Sequence, residues 1–450
     1  MIPYLPHTED ETAAMLRRIG CASIDELFAD IPENLRLTRP LKLPEAMAET
    51  EVLQRIGELA AANTLRTMFA GAGQYDHVIP AAVRHLAGRA EFVTAYTPYQ
   101  PEISQGILQA LFEYQSCIAE ITGLPVSNAS LYDGATAAAE ACAMALNARR
   151  GSGVLLVAGT VHPFTLSVLN TYFADLDVSI VRLRETKGQV CQSTLVDALA
   201  EYGDGLAGVL VQTPNIYGTL ENLNGWDKLI HEAGARFIIS SHPLSLGALR
   251  SPAEWGADIA VGDTQPLGLP PYFGGPSAGF IACKEDLMRR MPGRIAGETL
   301  DADGKRAFVL TLQAREQHIK RERATSNICS NQSLAALANT VYLTLLGARG
   351  FAEVSRRNIN AAETLRTMLC ENLKLQEYSG GPYFNEFTLK IPVKRARWDA
   401  IFEKHNILSG VWLADLDSSF ADNLLAIAVT EKRTADELNA YAACAKEALA

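Results

Sequence analysis

Tyr96, Tyr99, Gln100 and Glu102 lie together in "AYTPYQPEISQG", a loop bracketed by Pro98 and Pro101. Phenols hydrogen-bond and stack, an amide both donates and accepts, and a carboxylate takes up a proton. A proline-rich loop gives up conformational freedom to become ordered, and loops carry function more often than cores do. The same residues would also suit a rigid subunit-contact loop without chemistry, and Ser104 could cap the helix that follows. A second set is His318, Lys320, Arg321, Arg323 and Asn327 in "HIKRERATSN". These cations could steer an acidic protein or line a substrate channel. They could also be a solvated helix end, with Thr325, Ser326 and Asn327 capping the next helix.

The elements that must position these residues fall into three textures. Residues 1–63 read as a helical arm with proline-containing links, packed on the main body. "HTEDETAAMLRRIG", "SIDELFADI" and "PEAMAETEVLQRIGELAA" are its helical segments. From 64 to about 325, short apolar strands alternate with helices. The strands are expected at 153–158, 178–183, 207–212, 235–240, 257–262 and 278–283, and helices at 102–123 and 135–150. That alternation predicts βαβ units and a mostly parallel sheet covered on both faces. Residues 326–450 begin with a long helical run and then mix strands and helices, a small α+β domain.

Composition narrows the function classes. The chain has 450 residues, 48% of them hydrophobic and 20% charged, and a net charge of −11. An acidic balance without a basic run argues against nucleic acid as a partner. The stretch 153–174 is long and uncharged enough to consider as a membrane span. Gly159, His162-Pro163 and Asn170 divide it into strand, loop and helix, so it reads as core. The eight cysteines are scattered without CxxC spacing, which gives no metal signal and fits a reducing cytoplasm. The N-terminal stretch is acidic and broken by proline, unlike a signal peptide.

A large α/β domain with a small C-terminal domain suggests the fold-type-I scaffold of pyridoxal-phosphate (PLP) enzymes. Such an enzyme needs a phosphate turn at a helix N-terminus, an acidic partner for the pyridinium nitrogen and a Schiff-base lysine. Gly134 and Thr136 in "SLYDGATAAAEA" offer a plausible phosphate turn. Ser240, Ser241 and His242 stand where the acid is expected. No lysine lies between 229 and 283, and the loop after "ADIAVG" offers Thr264, Gln265, Pro266 and Leu267 instead. Lys187, in a polar turn, and Lys228, on a surface helix, are poor substitutes. His162 stands where a ring often stacks on the cofactor. It and His242 are given no role.

Four stretches are specific. "YTPYQPEISQG", "NASLYDGATAAAEA", "REQHIKRERATSNICSNQSL" and "GADIAVGDTQPLG…PYFGGPSAGF" closely resemble the P-protein of the glycine cleavage system, over nearly the whole chain. The likeness is to the N-terminal-half subunit, subunit 1, of the split bacterial form. It implies a PLP-dependent-transferase-like (fold type I) domain in which Pro266 holds the lysine position. PLP is then bound by the partner, P-protein subunit 2. The implied reaction decarboxylates glycine with PLP as electron sink and passes the aminomethyl group to the lipoyl-lysine of H-protein. In that family the active site lies between the two subunits, in paired heterodimers. Tyr96, Tyr99, Gln100 and Glu102 become this chain's expected contributions, and His318, Arg321, Arg323 and Asn327 its expected carrier or channel contacts. The alternative is a non-catalytic scaffold that docks the partner and the carrier.

Overall fold

The computed structural model describes residues 6–147, 153–272 and 274–450. It divides into two compact units, Met1–Thr64 and Leu65–Ala450. In the first unit α1 (Glu9–Ile19) opens with a capping box. The Thr8 hydroxyl accepts from the Glu11 N–H, and the Glu11 carboxylate accepts from the Thr8 N–H. Gly20, left-handed at φ 83°, closes it. Helix α2 (Glu49–Ala61) starts later than the sequence predicts, and "SIDELFADI" forms only a short 3-10 turn at Ile24–Phe28. No residue from 6 to 64 is buried. Segments this short have little helical stability without packing, so only the capped and periodic stretches form.

The second unit begins with β1 (Thr67–Met68), α3 (Ala81–Ala87), α4 (Gln105–Thr122), β2 (Val126–Ser127) and α5 (Gly134–Asn147). The last residues expected in α5, 148–150, lie outside the described residues. There follow β3 (Gly153–Ala158), α6 (Pro163–Phe173), β4 (Val178–Leu183), the small β5 (Glu185–Thr186) and β6 (Gln189–Val190), and α7 (Gln192–Tyr202). Then come β7 (Leu206–Gln212), α8 (Trp226–Glu232), β8 (Arg236–Ser240), β9 (Ile259–Asp263) and β10 (Gly279–Cys283). The main sheet runs β2-β10-β9-β8-β7-β3-β4. Pairs from β9 through β4 are parallel, while β10 is antiparallel to both β9 and β2. Strand β7, "LAGVLVQ", is buried in all but its last residue, as a parallel strand covered on both faces must be.

A hairpin, β11 (Ile295–Leu300) and β12 (Arg306–Thr311), follows the sheet and packs against α4. The single turn α9 (Gln317–Lys320) leads to α10 (Ser333–Thr367), which breaks at Gly347 (φ 56°, ψ 179°). The first half of α10 packs on α4 through Leu337 and Tyr342, and the second half reaches the C-terminal core through Leu365. That core lies on a four-stranded antiparallel sheet of β13 (Gln376–Glu377), β14 (Glu386–Lys390), β16 (Val411–Trp412) and β17 (Leu424–Ala428). Helices α11 (Arg395–Lys404) and α12 (Ala435–Leu449) cover it with Trp398, Phe402 and Tyr441. Strand β15 (Ile407–Leu408) pairs in parallel with β1, so the segment entering the second unit is tied to its C-terminal part.

Candidate functional site

The C-terminal ends of β3, β7, β8 and β9 face the place where ligands bind in open α/β sheets. His162, His242, Gln265 and Pro266, singled out by sequence, lie there, and Asp263, which was not, joins them. Asp263, ending β9, points its carboxylate at the start of α5, where it accepts from the Gly134 N–H at 3.0 Å. It also accepts from the Gln265 N–H at 2.8 Å and from the Ser277 hydroxyl. A second α5 amide, Thr136 N–H, is taken by Asp133 at 2.7 Å. The amides that would cradle a phosphate therefore already hold carboxylates of the chain itself. Burial pushes Asp263 up to about 6, against the pull of its three donors.

Pro266 is buried at the expected lysine position. Gln265 beside it is 1% exposed and fully bonded. It accepts from Tyr75 N–H at 2.9 Å and donates to the carbonyls of Tyr75 (2.9 Å) and Leu269 (2.7 Å). His162 is fixed in one neutral tautomer. Its Nδ1 accepts from Phe164 N–H, capping α6, and its Nε2 donates to the Ala72 carbonyl at 3.1 Å. Burial lowers its pKa, which favours the same form. His242, where an acid is expected, is half-buried; among the described residues neither ring nitrogen, both shielded from solvent, has a partner, and burial holds its pKa well down. Its ring packs edge-on against Tyr75 at 4.7 Å and tilted on Phe384 at 5.2 Å.

One segment, residues 71–77, thus meets His162, Gln265 and His242 at once. Glu386 of β14 anchors it, accepting from Ala72 N–H at 2.7 Å and from the Tyr75 hydroxyl at 3.0 Å. Burial raises Glu386 to about 7. Further along, His77 Nδ1 lies 2.8 Å from Glu431. Burial opposes ionisation of Glu431, yet His77, Val78 N–H and Asn358 together hold it down at about 2. The residues present do not fit PLP: Pro266 and His242 stand where lysine and acid are expected, the Gly134 and Thr136 amides are engaged, and the segment packs against His162, Gln265 and His242. Lys187 and Lys228 are exposed. Among the described residues no group of three or more His, Cys, Asp or Glu is placed to hold a metal.

The tyrosine loop is the opposite of the filled cleft. Tyr96 is 89% exposed, and Gln100 and Glu102 are exposed too, with no side-chain hydrogen bond among the described residues. Ser104 occupies the α4 N-cap position but makes no capping bond, and its buried hydroxyl has no partner. Tyr99 alone is held. The Arg294 Nη2 donates to its hydroxyl at 3.1 Å, the guanidinium lies 5.3 Å from its ring centre, and the His318 ring stands 6.0 Å away. So Tyr99 and His318, from the two separate sequence sets, come together. Among the described residues, Arg321 and Arg323 sit in an exposed turn with no carboxylate partner beyond Glu322, and Asn327 is exposed. Thr325, Ser326 and Asn327 do not cap α10. Its N-cap is Gln332, whose N–H donates to Ser130 at 3.0 Å.

Arg294 and Glu316 were not singled out by sequence. Both are buried, Nε to Oε2 is 3.9 Å, and the same carboxylate lies 3.6 Å from His318. Glu316 stands within the motif "REQH", but nothing local marks it as buried.

The chain is similar to known proteins over nearly its whole length. Residues 3–444 match the family described as "Glycine cleavage system P-protein". "Probable glycine dehydrogenase (decarboxylating) subunit 1" of Bacillus cereus (strain AH187) is 47% identical over 442 residues, 97% of each chain. The crystal structure of "glycine decarboxylase (P-protein) of the glycine cleavage system, in inhibitor-bound form" superposes with a TM-score of 0.86 at 42% identity, covering 99% of this chain and 100% of that one. Alanine–glyoxylate aminotransferase from Nostoc sp., at 17% identity and a TM-score of 0.59 over 93% and 98% of the chains, shares the fold alone, fold type I of the PLP-dependent enzymes. A likeness this close over nearly the whole length places the chain in the glycine cleavage system P-protein family.

Proposed function

We propose that this chain is subunit 1 of a heteromeric glycine dehydrogenase (decarboxylating) and works only with a PLP-bearing second subunit. Together they decarboxylate glycine and pass the aminomethyl group to the lipoyl-lysine of H-protein. The observation that carries this reading is the buried Pro266, in a filled cleft, within a chain 47% identical to proteins named subunit 1. PLP then supplies the electron sink from the partner's side. This chain supplies Tyr96, Tyr99, Gln100 and Glu102 at the shared edge, and His318, Arg321, Arg323 and Asn327 toward the carrier or its channel. The free cysteines suit a cytoplasmic enzyme.

The exposed, unpaired loop side chains support a contribution to another chain's site. The cleft favours the scaffold reading instead: among the described residues its carboxylates, Gln265 and His162 are engaged within the chain, and His242 is packed between Tyr75 and Phe384. Incubation of the purified chain with PLP, borohydride reduction and peptide mapping tests the assignment. Absence of label, with turnover appearing only on addition of the lysine-bearing subunit, is expected. A stoichiometric label on Lys187 or Lys228 would overturn it.

A further inference from the structure

Tyr99 is the only member of the exposed loop set whose side chain is fixed from below, and what fixes it is unusual. Arg294 is 2% exposed. Its guanidinium carries donors only, so in its contact with Tyr99 the phenol oxygen must accept. The phenol's own proton is then left to point elsewhere, and with Tyr99 48% exposed the open side is outward. The cation also lies over the ring, so orientation and hydroxyl are set by one group.

Arg294 is itself held tightly. Its carbonyl accepts from Ala129 N–H at 2.8 Å. The turn before it is clamped by Arg315, which donates to the carbonyls of Met291 and of Gly293, the latter at 2.9 Å, while Asn128 donates to Pro292 at 3.0 Å. Glu316 balances its charge from 3.9 Å, too far for a strong bond, and among the described residues Nε and Nη1 have no hydrogen-bond partner. A buried arginine with two idle donors is costly to keep for packing alone. Its one hydrogen bond goes to a half-exposed tyrosine.

We propose that Arg294 is a positioning residue. It holds the Tyr99 hydroxyl as an outward hydrogen-bond donor toward an acceptor, a carboxylate, phenolate or carbonyl oxygen, presented from the partner subunit's side of the shared site. The inference rests on the proposed role of the loop in that site.

The test is a double-mutant cycle on the reconstituted two-subunit enzyme, with kcat and KM for glycine and assembly by sizing. Y99F keeps the ring and removes the hydroxyl. R294M keeps length and removes the donors, R294K keeps the charge and one donor direction, and Y99F/R294M closes the cycle. Y99F is expected to lower kcat about tenfold with assembly intact. R294M should do likewise, the double variant should fall no further than either single, and R294K should recover part of the loss. Unchanged kcat in Y99F would overturn the role of the loop itself. A loss in Y99F with none in R294M, or additive losses in the double variant, would overturn the role of Arg294 and leave that of the loop standing. Should R294M fail to assemble, R294K decides: wild-type kcat together with a Y99F loss would refute the positioning role.

Discussion

Replacing Glu386 by glutamine should remove a pH dependence that the filled cleft creates. In the folded chain this carboxyl is fully enclosed, and burial raises it from 4.5 to about 7. A raised acid favours folding in its protonated form. Its stabilisation is therefore complete below the unfolded pKa and is lost as pH rises through the folded one. A difference of one in pKa between the folded and unfolded chain is equivalent to about 1.4 kcal/mol. Between pH 5 and pH 8 this one group should cost the wild type about 2.5 kcal/mol of stability.

Glutamine can keep both bonds, with Oε1 accepting from Ala72 N–H and Nε2 donating to the Tyr75 oxygen, but it does not titrate. The difference in stability between E386Q and wild type isolates Glu386, because the other titrating groups, Glu140 among them, cancel. Urea unfolding followed by tryptophan fluorescence at pH 5 and pH 8 provides the measurement. The variant should gain on wild type by about 2–3 kcal/mol across that interval. A difference that stays constant with pH would refute the claim that this carboxyl is both enclosed and titrating. E386A, which leaves Ala72 N–H and the Tyr75 hydroxyl without partners, should instead loosen segment 71–77. Faster amide exchange there than in wild type is the expected sign.

Two further outcomes follow from the same cleft. P266K should not create a Schiff base: borohydride reduction with PLP should leave position 266 unlabelled, since Asp263 still occupies the α5 amides and Tyr75 still fills the space. Stoichiometric label at that position would show that the lysine alone was lacking. G218A should be strongly destabilising, because Gly218 sits at φ 79° and an added Cβ would collide with the backbone carbonyl of Glu386. Strain and overpacking together imply a loss of roughly 2–5 kcal/mol in denaturant unfolding, and a loss near zero would contradict the close approach.

The strands of the main sheet were legible because continuous apolar runs bounded by turns leave little choice. The stretches 153–158 and 178–183 are strands residue for residue, and β7, β8, β9 and β10 shift by one or two positions. The β11–β12 hairpin went unread although Asp303-Gly304 marks its turn, with Gly304 at φ 78°. Its strands are half-exposed, and Gly297, Glu298 and Thr299 break the apolar pattern of β11, so periodicity was weak there. Pro266 could be proposed for the lysine position because the loop around it is contiguous in sequence. Glu386 could not, since it reaches Ala72 and Tyr75 across more than three hundred residues, and no local pattern announces a contact of that span. Arg294 was hidden for a related reason: a lone arginine before a strand is ordinarily a solvated one, and only the packing of α4 and the hairpin around it makes it buried.

The absence of a lysine at the expected position explains little on its own. A cleft that had lost only its lysine would still offer a phosphate cradle, an acid and an open face for a ring, and could hold the cofactor without a covalent bond. Here Asp263 and Asp133 hold α5 amides, Ala72 holds His162 and Tyr75 holds Gln265, while His242 only packs its ring on Tyr75. Buried polar groups satisfied in this way stabilise the fold and have no free valence for a ligand. Among the positions singled out by sequence, the exposed stretches around Tyr96–Glu102 and His318–Asn327 keep polar groups free. Any chemistry this subunit shares is therefore sought at that edge, with Arg294 beneath it.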